Sequence, residues 1–202
     1  MSISVAALNG RYDTLDRTAE GDNMRKLFES TLISLDGAVD NPGSWAMRYF
    51  NEESRQEATE QLRRSDAMLM GRNTYLALAA QWANADGEFA DAINRITKYV
   101  FSSTLERPVW SNTELITTDL PETVAKLKAD GDGDLTLYGH GQLSRTLLEH
   151  SLLDEIMLSV HPVTANSSAS GFTVPERARL TLRESHARKS GVVVTTYAVS
   201  YT

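Results

Sequence analysis

The chain makes one junction twice: a short apolar run, a glycine, then the start of a helix. The first copy is Ala67-Met68-Leu69-Met70-Gly71-Arg72-Asn73-Thr74-Tyr75, and the second is Leu135-Thr136-Leu137-Tyr138-Gly139-His140-Gly141-Gln142-Leu143. Each reads as a buried strand whose end points into a helix N-terminus. Such a corner leaves the first helical amides without partners and sets the positive end of the helix dipole at the turn. Anions, phosphates above all, bind at that geometry. Two such corners in one small chain suit a ligand with several phosphates, as a dinucleotide has.

Between and around the two junctions, strands and helices alternate. Arg25 to Ser34 reads as a first strand, ended by Leu35-Asp36-Gly37, and Asn41-Pro42-Gly43 marks a turn before a loop through Trp45. Asn51 to Arg64 reads as a helix capped by Asn51, with Glu52 and Glu53 in its first turn where negative charge suits the dipole. Ala67 to Met70 is a strand and Thr74 to Trp82 a helix. Phe89, Ile93 and Ile96 fall at helical spacing in a further helix. Strands follow at Lys98 to Phe101 and Glu114 to Thr117, then a helix from Pro121 to Ala129, with proline in the first turn. After the Asp130-Gly131-Asp132-Gly133 turn comes the second junction, with its helix from about Gln142 to His150, and then a strand from Glu155 to Val160. His161 to Thr173 is an irregular, serine-rich loop. Leu180 to Ala187 and Val192 to Tyr201, joined through Lys189-Ser190-Gly191, form an antiparallel hairpin. The alternation predicts an α/β fold with a mixed, mainly parallel sheet covered by helices on both faces.

Composition removes several classes of function. With 202 residues the chain suits one domain, and it contains no cysteine, which excludes disulfides, thiolate catalysis and cysteine–zinc sites. A net charge of -7 argues against nucleic acid as the main partner, although a local phosphate pocket needs only one or two cations. No run of 18 apolar residues exists, so no membrane span is expected. Met1 to Asn23 lacks the apolar stretch of a secretory signal and reads as a weakly ordered extension. A reducing cytoplasm fits. The four histidines, at positions 140, 150, 161 and 186, lack metal-ligand spacing, so no metal is expected. There is no Gly-x-Ser-x-Gly elbow and no Walker lysine motif.

The residues with chemistry to offer each have a structural and a functional reading. Gly71 allows close backbone approach, Arg72 presents a planar fork matched to phosphate oxygens, and Thr74 sets a hydroxyl at the helix start; the same residues also make a plain capped turn. Gly139-His140-Gly141 lacks the third glycine of the dinucleotide fingerprint, and His140 reads as solvent-exposed. Ser102-Ser103-Thr104 after a strand end can bind a ribose phosphate or cap the loop. Asp36 can position substrate or donate a proton, or hold a turn. Trp45 and Tyr49 can wall a pocket for a flat ring, or simply pack.

Taken in order, Ser34-Leu35-Asp36-Gly37, Gly71 to Tyr75, Lys98-Tyr99-Val100-Phe101-Ser102-Ser103-Thr104-Leu105, Gly139 to Leu143, Leu152-Leu153-Asp154-Glu155-Ile156 and His161-Pro162-Val163 form a set. That set resembles the dihydrofolate-reductase-like proteins that share the C-terminal reductase domain of the bifunctional riboflavin-biosynthesis deaminase-reductase. The resemblance covers 24–202, with 1–23 as an extension. It implies a three-layer dihydrofolate-reductase-like fold, NADPH as cofactor and a homodimer. It implies that Arg72 and Thr74, with Gly71 and Asn73, hold cofactor phosphates and that Ser102 and Ser103 lie near the adenosine 2′-phosphate. Gly139, His140, Gly141, Gln142 and Leu143 would cradle the pyrophosphate and lead to the nicotinamide. Asp36, as the catalytic candidate, and Trp45 would lie at the substrate end. In the riboflavin enzyme the reaction reduces a ribosylamino-pyrimidine to its ribitylamino form. A pterin reductase, with Glu52 or Glu53 as its helix carboxylate, and a dinucleotide-binding protein without turnover are the alternatives. Three features depart from the pattern: Thr164-Ala165-Asn166-Ser167-Ser168-Ala169-Ser170-Gly171-Phe172 replaces a glycine-rich stretch, His140 replaces a small residue, and 1–23 is too short for a deaminase domain.

Overall fold

A computed structural model of the chain describes residues 24–167 and 171–202; the extension expected at Met1 to Asn23 lies outside them. In chain order the elements are β1 (Leu27–Ser34), α1 (Glu52–Arg64), β2 (Ser65–Gly71), α2 (Arg72–Trp82), α3 (Glu88–Arg95), β3 (Thr97–Phe101), β4 (Thr113–Ile116), α4 (Leu120–Ala129), β5 (Asp134–Tyr138), α5 (Gln142–Glu149), β6 (Glu155–His161), β7 (Ala178–Ala187) and β8 (Val193–Tyr201). Two short 3-10 turns, Pro42–Ser44 and Met47–Tyr49, lie in the loop between β1 and α1.

The strands form one eight-stranded sheet in the order β4-β3-β2-β5-β1-β6-β8-β7. Every neighbouring pair from β4 to β6 is parallel, and β8 alone runs against both of its neighbours. The mixed, mainly parallel sheet and the C-terminal antiparallel hairpin are therefore as the sequence predicts. β2 shows why the apolar runs are continuous rather than alternating. Ala67 and Leu69 enter one core with Val124 of α4 and Leu147 and Leu148 of α5. Met68 and Met70 enter the other with Leu62 of α1, Tyr75 of α2 and Phe89 and Ile93 of α3. A central parallel strand is covered on both faces and must be apolar on both. The result is three layers, with α1, α2 and α3 on one face and α4 and α5 on the other.

Local chemistry sets most of the boundaries. Asn51 Oδ1 accepts the Ser54 amide at 3.1 Å while Ser54 Oγ accepts the Asn51 amide at 3.0 Å, a reciprocal cap that starts α1. Asp119 caps α4 by accepting the Glu122 amide at 2.9 Å, with Pro121 in the first turn. β1 begins two residues later than the pattern suggests, because Arg25 is committed to the 130–133 turn through Gly133 O at 2.5 Å and Asp130 O at 2.6 Å. Ile96 lies just past α3 in extended backbone, so only Phe89 and Ile93 of that trio are helical. The hairpin turn is tied to α1: the Arg188 guanidinium meets Glu57 Oε2 at 2.8 and 2.6 Å, and Glu53 accepts the Lys189 amide at 3.1 Å. Among the described residues, no helix is long and apolar enough to cross a membrane.

One buried side chain holds the middle of the long β3–β4 connection. Tyr75, fully buried in α2, accepts the amides of Val109 and Trp110 through its hydroxyl, each at 2.9 Å. Tyr75→Phe keeps the ring but leaves those two amides without that acceptor, and it should cost about 1–3 kcal/mol in a urea or guanidinium unfolding curve. Leu76→Ala, at an exposed neighbouring position, is the control and should stay within about 0.5 kcal/mol of the parent. Equal behaviour of the two variants would contradict this account of the loop.

Candidate functional site

Because β2 and β5 are parallel neighbours, the two glycine junctions lie side by side at the carboxyl edge of the sheet. α2 leaves β2 toward one face, and α5 leaves β5 toward the other, as the separate cores of Tyr75 and Leu147 require. Adjacent strands whose helices depart to opposite faces open a crevice, the usual ligand position in α/β sheets. The two helix starts differ from those of α1 and α4. α2 begins at Gly71 and α5 at Gly141, with no side-chain cap and no acidic residue in the first turn. Their amides and dipoles are left for something else to satisfy.

The glycines at these corners have distinct jobs. Gly139 has a φ of +82°, a conformation other residues rarely take, and a Cβ there would lie 3.2 Å from Thr74 Oγ1. Its amide donates to Ser30 O of β1 at 3.1 Å, so the turn is fixed to a third strand. A Cβ at Gly71 or Gly141 would meet nothing in the protein within 4 Å, so the backbone at both helix starts faces open space. Arg72 and Asn73 are exposed beside it and Thr74 is half-buried; Gln142 is exposed, and Leu143 packs partly on the core below.

One strand beyond β2, Ser102 and Ser103 line a cavity of about 350 Å³ with Phe101, Thr104, Thr117 and Thr118. Ser102 Oγ accepts the amides of Thr104 and Leu105 at 3.1 and 3.0 Å, which fixes the loop and leaves its O–H to donate. On the other side of β5, beyond β1, lies Asp36. The edge thus presents Ser102–Ser103, Gly71–Thr74, Gly139–Leu143 and Asp36 in the strand order β3-β2-β5-β1. Three inter-strand spacings separate the ends, about 14 Å.

Asp36 and Trp45 have surroundings the residue pattern does not disclose. The Asp36 carboxylate accepts the amides of Ala165 and Asn166 at 3.0 and 2.8 Å, and the Ser34 hydroxyl donates to it. The Ser34 hydroxyl and then the two amides pull its pKa down from 3.8 to about 2. At neutral pH it holds no proton to give; it staples the 165–166 segment to the Asp36-Gly37 turn. Trp45 is buried rather than lining open space. Its ring and that of Tyr49 meet His161 edge-on, with centroids 5.4 and 5.5 Å apart, and its indole N–H donates to Asp40 O at 3.2 Å. Burial lowers the pKa of His161, whose imidazole therefore stays neutral at neutral pH.

His140 overturns the expectation of an exposed side chain. It is buried, with Nδ1 2.9 Å from Glu29 Oε1 and Nε2 2.9 Å from Thr173 O. Glu29 itself has no exposure; it also accepts from Thr31 Oγ1 at 2.7 Å and from Ser144 Oγ in the first turn of α5. By folding inward, His140 leaves the outer side of the Gly139–Gly141 turn to backbone alone. The sequence signal for Glu29 is the alternation of β1. In β1, Leu27, Glu29, Thr31 and Ile33 share a face, and Leu27 and Ile33 mark it as the core face.

The sheet, its two opposed helix starts and the crevice between them define an α/β protein of the dihydrofolate-reductase-like class, with the crevice at the switch point of a mainly parallel sheet. Residues 25–195 match the RibD C-terminal domain model, and the chain belongs to that family of reductase-like proteins. It is 27% identical over 183 residues to the uncharacterized protein YyaP of Bacillus subtilis strain 168, covering 86% of this chain and 94% of that one. Its fold is similar to that of a pyrimidine reductase-like protein from Corynebacterium diphtheriae, with a TM-score of 0.64, 14% identity, and 89% and 94% of the two chains covered. Schistosoma mansoni dihydrofolate reductase shares it too, with a TM-score of 0.60, 12% identity, and 88% and 100% covered.

Two outcomes test this geometry without any ligand. Gly139→Ala should lose about 1–2 kcal/mol of stability from the positive φ alone, and restoring room with Thr74→Ala should not recover it. Asp36→Asn should flatten the acid limb of a plot of thermal midpoint against pH. A carboxylate with a depressed folded pKa stabilises fully above about 4, and that contribution is lost as the pH falls toward 2. An unchanged slope between those values would contradict the assigned role of Asp36.

Proposed function

We propose that this protein is an NADPH-dependent reductase that passes a hydride to a carbonyl or imine carbon of a small heterocyclic substrate. It is most like the 5-amino-6-(5-phosphoribosylamino)uracil reductase of riboflavin biosynthesis. The observation that carries the reading is the pair of uncapped, acid-free helix starts facing each other across the β2–β5 crevice. Phosphate supplies what those amides and dipoles lack. Gly71 and Gly141 leave the backbone open to close approach, and about 14 Å of edge gives an extended dinucleotide room to lie across four strand ends.

In this reading Arg72 and Thr74, with Gly71 and Asn73, hold phosphate, the Arg72 fork giving charge-assisted bonds. Ser102 and Ser103 take the adenosine end in their cavity. Gly139, His140, Gly141, Gln142 and Leu143 form the turn that carries the pyrophosphate toward the reacting end, near β1. When bound, NADPH supplies the hydride, and the protein supplies position and electrostatics. Asp36, as an anion bound to the 165–166 amides, shapes the substrate end by ordering that segment, so the proton of the reduction comes from water. Glu52 and Glu53, which a pterin reductase would use, are engaged elsewhere: Glu52 pairs with Arg55 at 3.1 Å and Glu53 accepts the Lys189 amide. A homodimer in the cytoplasm belongs to the same reading. It is supported by the ten-residue edge strand β7, beside which Leu182 and Val193 stand exposed on one face.

Titration of the purified protein with NADPH and NADH, followed by energy transfer from tryptophan, tests the cofactor. Arg72→Ala should weaken NADPH about tenfold or more and NADH less, the value of one charge-assisted contact to the 2′-phosphate. Equal losses would move Arg72 to the pyrophosphate, and no binding of either dinucleotide would end the reading. Tight binding without oxidation across pyrimidine, pterin and simple carbonyl substrates would favour a binding protein without turnover.

A further inference from the structure

The buried group beneath the second glycine junction is larger than the turn needs. Glu29 sits at zero exposure in a central parallel strand, where an unpartnered carboxylate would be prohibitive. Three groups satisfy it: Thr31 Oγ1 from its own strand, Ser144 Oγ from the first turn of α5, and His140 Nδ1 from the turn itself. The fourth connection runs on from His140. Its Nε2 faces Thr173 O at 2.9 Å, and its ring lies 4.4 Å from that of Phe172. The imidazole is thus ringed on both sides: Nδ1 also lies 3.2 Å from Ser144 Oγ, and Nε2 lies 3.4 Å from the Thr173 amide.

The segment at the far end of this line is held from a second side. The Phe172 amide donates to Gly37 O at 3.1 Å, and a Cβ at Gly171 would come within 2.7 Å of that same oxygen. Residues 171–173 are thus fastened to the Asp36-Gly37 turn by backbone and to the Gly139–Gly141 turn by His140. Glu29 anchors the arrangement in the sheet. Among the described residues, the Gly139–Gly141 turn meets this segment through His140 Nε2, which lies 2.9 Å from Thr173 O and 3.4 Å from the Thr173 amide.

We propose that Glu29 and His140 are positioning residues that lock the glycine turn of β5 to the 171–174 segment, so that the cofactor-side turn and the substrate-side loop are set as one unit. The assignment of those two sides rests on the function proposed above; the lock itself does not. Its geometry also explains why a bulky residue can stand between two glycines of a phosphate turn: the side chain serves the inner surface and leaves the outer one bare.

The test uses the full chain with Glu29 and His140 both replaced by leucine, since exchanging a whole buried polar pair for apolar groups preserves folding far better than removing one partner. Glu29→Gln, which keeps shape and hydrogen-bonding capacity, is the conservative comparison. Amide hydrogen exchange is followed first without ligand. The double variant should exchange about tenfold faster at 139–144 and at 171–174 together, with 72–75 and 102–105 unchanged, and Glu29→Gln should restore most of the protection. A second readout is NADPH affinity, which the double variant should lower by at least about fivefold. Protection at 171–174 that stays at the parent level, or a uniform rise across the molecule, would overturn the lock. If the parent binds no dinucleotide, the ligand-free exchange still decides the lock, and only the functional assignment of its two ends fails. If the double variant does not fold, Glu29→Gln with His140→Ala, which removes the side chain that reaches Thr173 and leaves no buried charge, gives the same comparison, and parent-level exchange at 171–174 there would equally overturn it.

Discussion

The parallel pairing of β2 with β5 is the constraint on which the rest of the site depends. Ala67, Met68 and Leu69 lie opposite Leu135, Thr136 and Leu137, and that register brings Thr74 and Gly139 within van der Waals reach. Because α2 and α5 then depart to opposite faces, the two helix N-termini flank one crevice. Had the two strands been separated by even one neighbour, each glycine corner would be an ordinary turn. Gly139 is the residue that pays for the proximity: it takes a left-handed backbone so that its amide reaches Ser30 and its α-carbon clears Thr74.

Elements whose signals are local were legible in the sequence. The Asn51 cap, the glycine corners, Pro121 in a first turn and the Lys189-Ser190-Gly191 hairpin turn all act within a few residues, and each is found where the pattern puts it. Strand adjacency is another matter. That β1 lies between β5 and β6 follows from packing across more than a hundred residues, which no short motif encodes. The same holds for side-chain direction. His140 between two glycines reads as exposed because nothing nearby reveals a buried carboxylate; its partner Glu29 is 111 residues away. For Asp36 the sequence leaves substrate positioning, proton donation and a turn all open, because the amides that hold it belong to Ala165 and Asn166, across a similar gap. Trp45 reads as a pocket wall or as a packed ring, and its contact with His161 shows the packed ring.

These long-range ties give the carboxyl edge its character. The half from Ser102 to Gly141 is built for approach, with glycine backbone, hydroxyls, an exposed arginine and unused helix dipoles. The half from Ser34 to Phe172 is built for fixation, with Asp36 bound to two amides, Gly37 O bound to Phe172, and His140 joining this half to the other. An edge whose one end is open main chain and whose other end is an anchored loop can keep the backbone geometry of the first while the sequence of the second changes.

The central claim is that one ligand satisfies both helix starts at once. Backbone amide chemical shifts of the isotopically labelled protein, followed as NADPH is added, test it most directly. The account predicts that the largest perturbations fall together on the first-turn amides of α2, at Arg72 to Thr74, and of α5, at Gln142 to Ser144, and that they saturate along a single binding curve. Perturbations confined to one of the two helices, or centred on the α1–hairpin cleft of Asn51, Glu53 and Lys189, would contradict it.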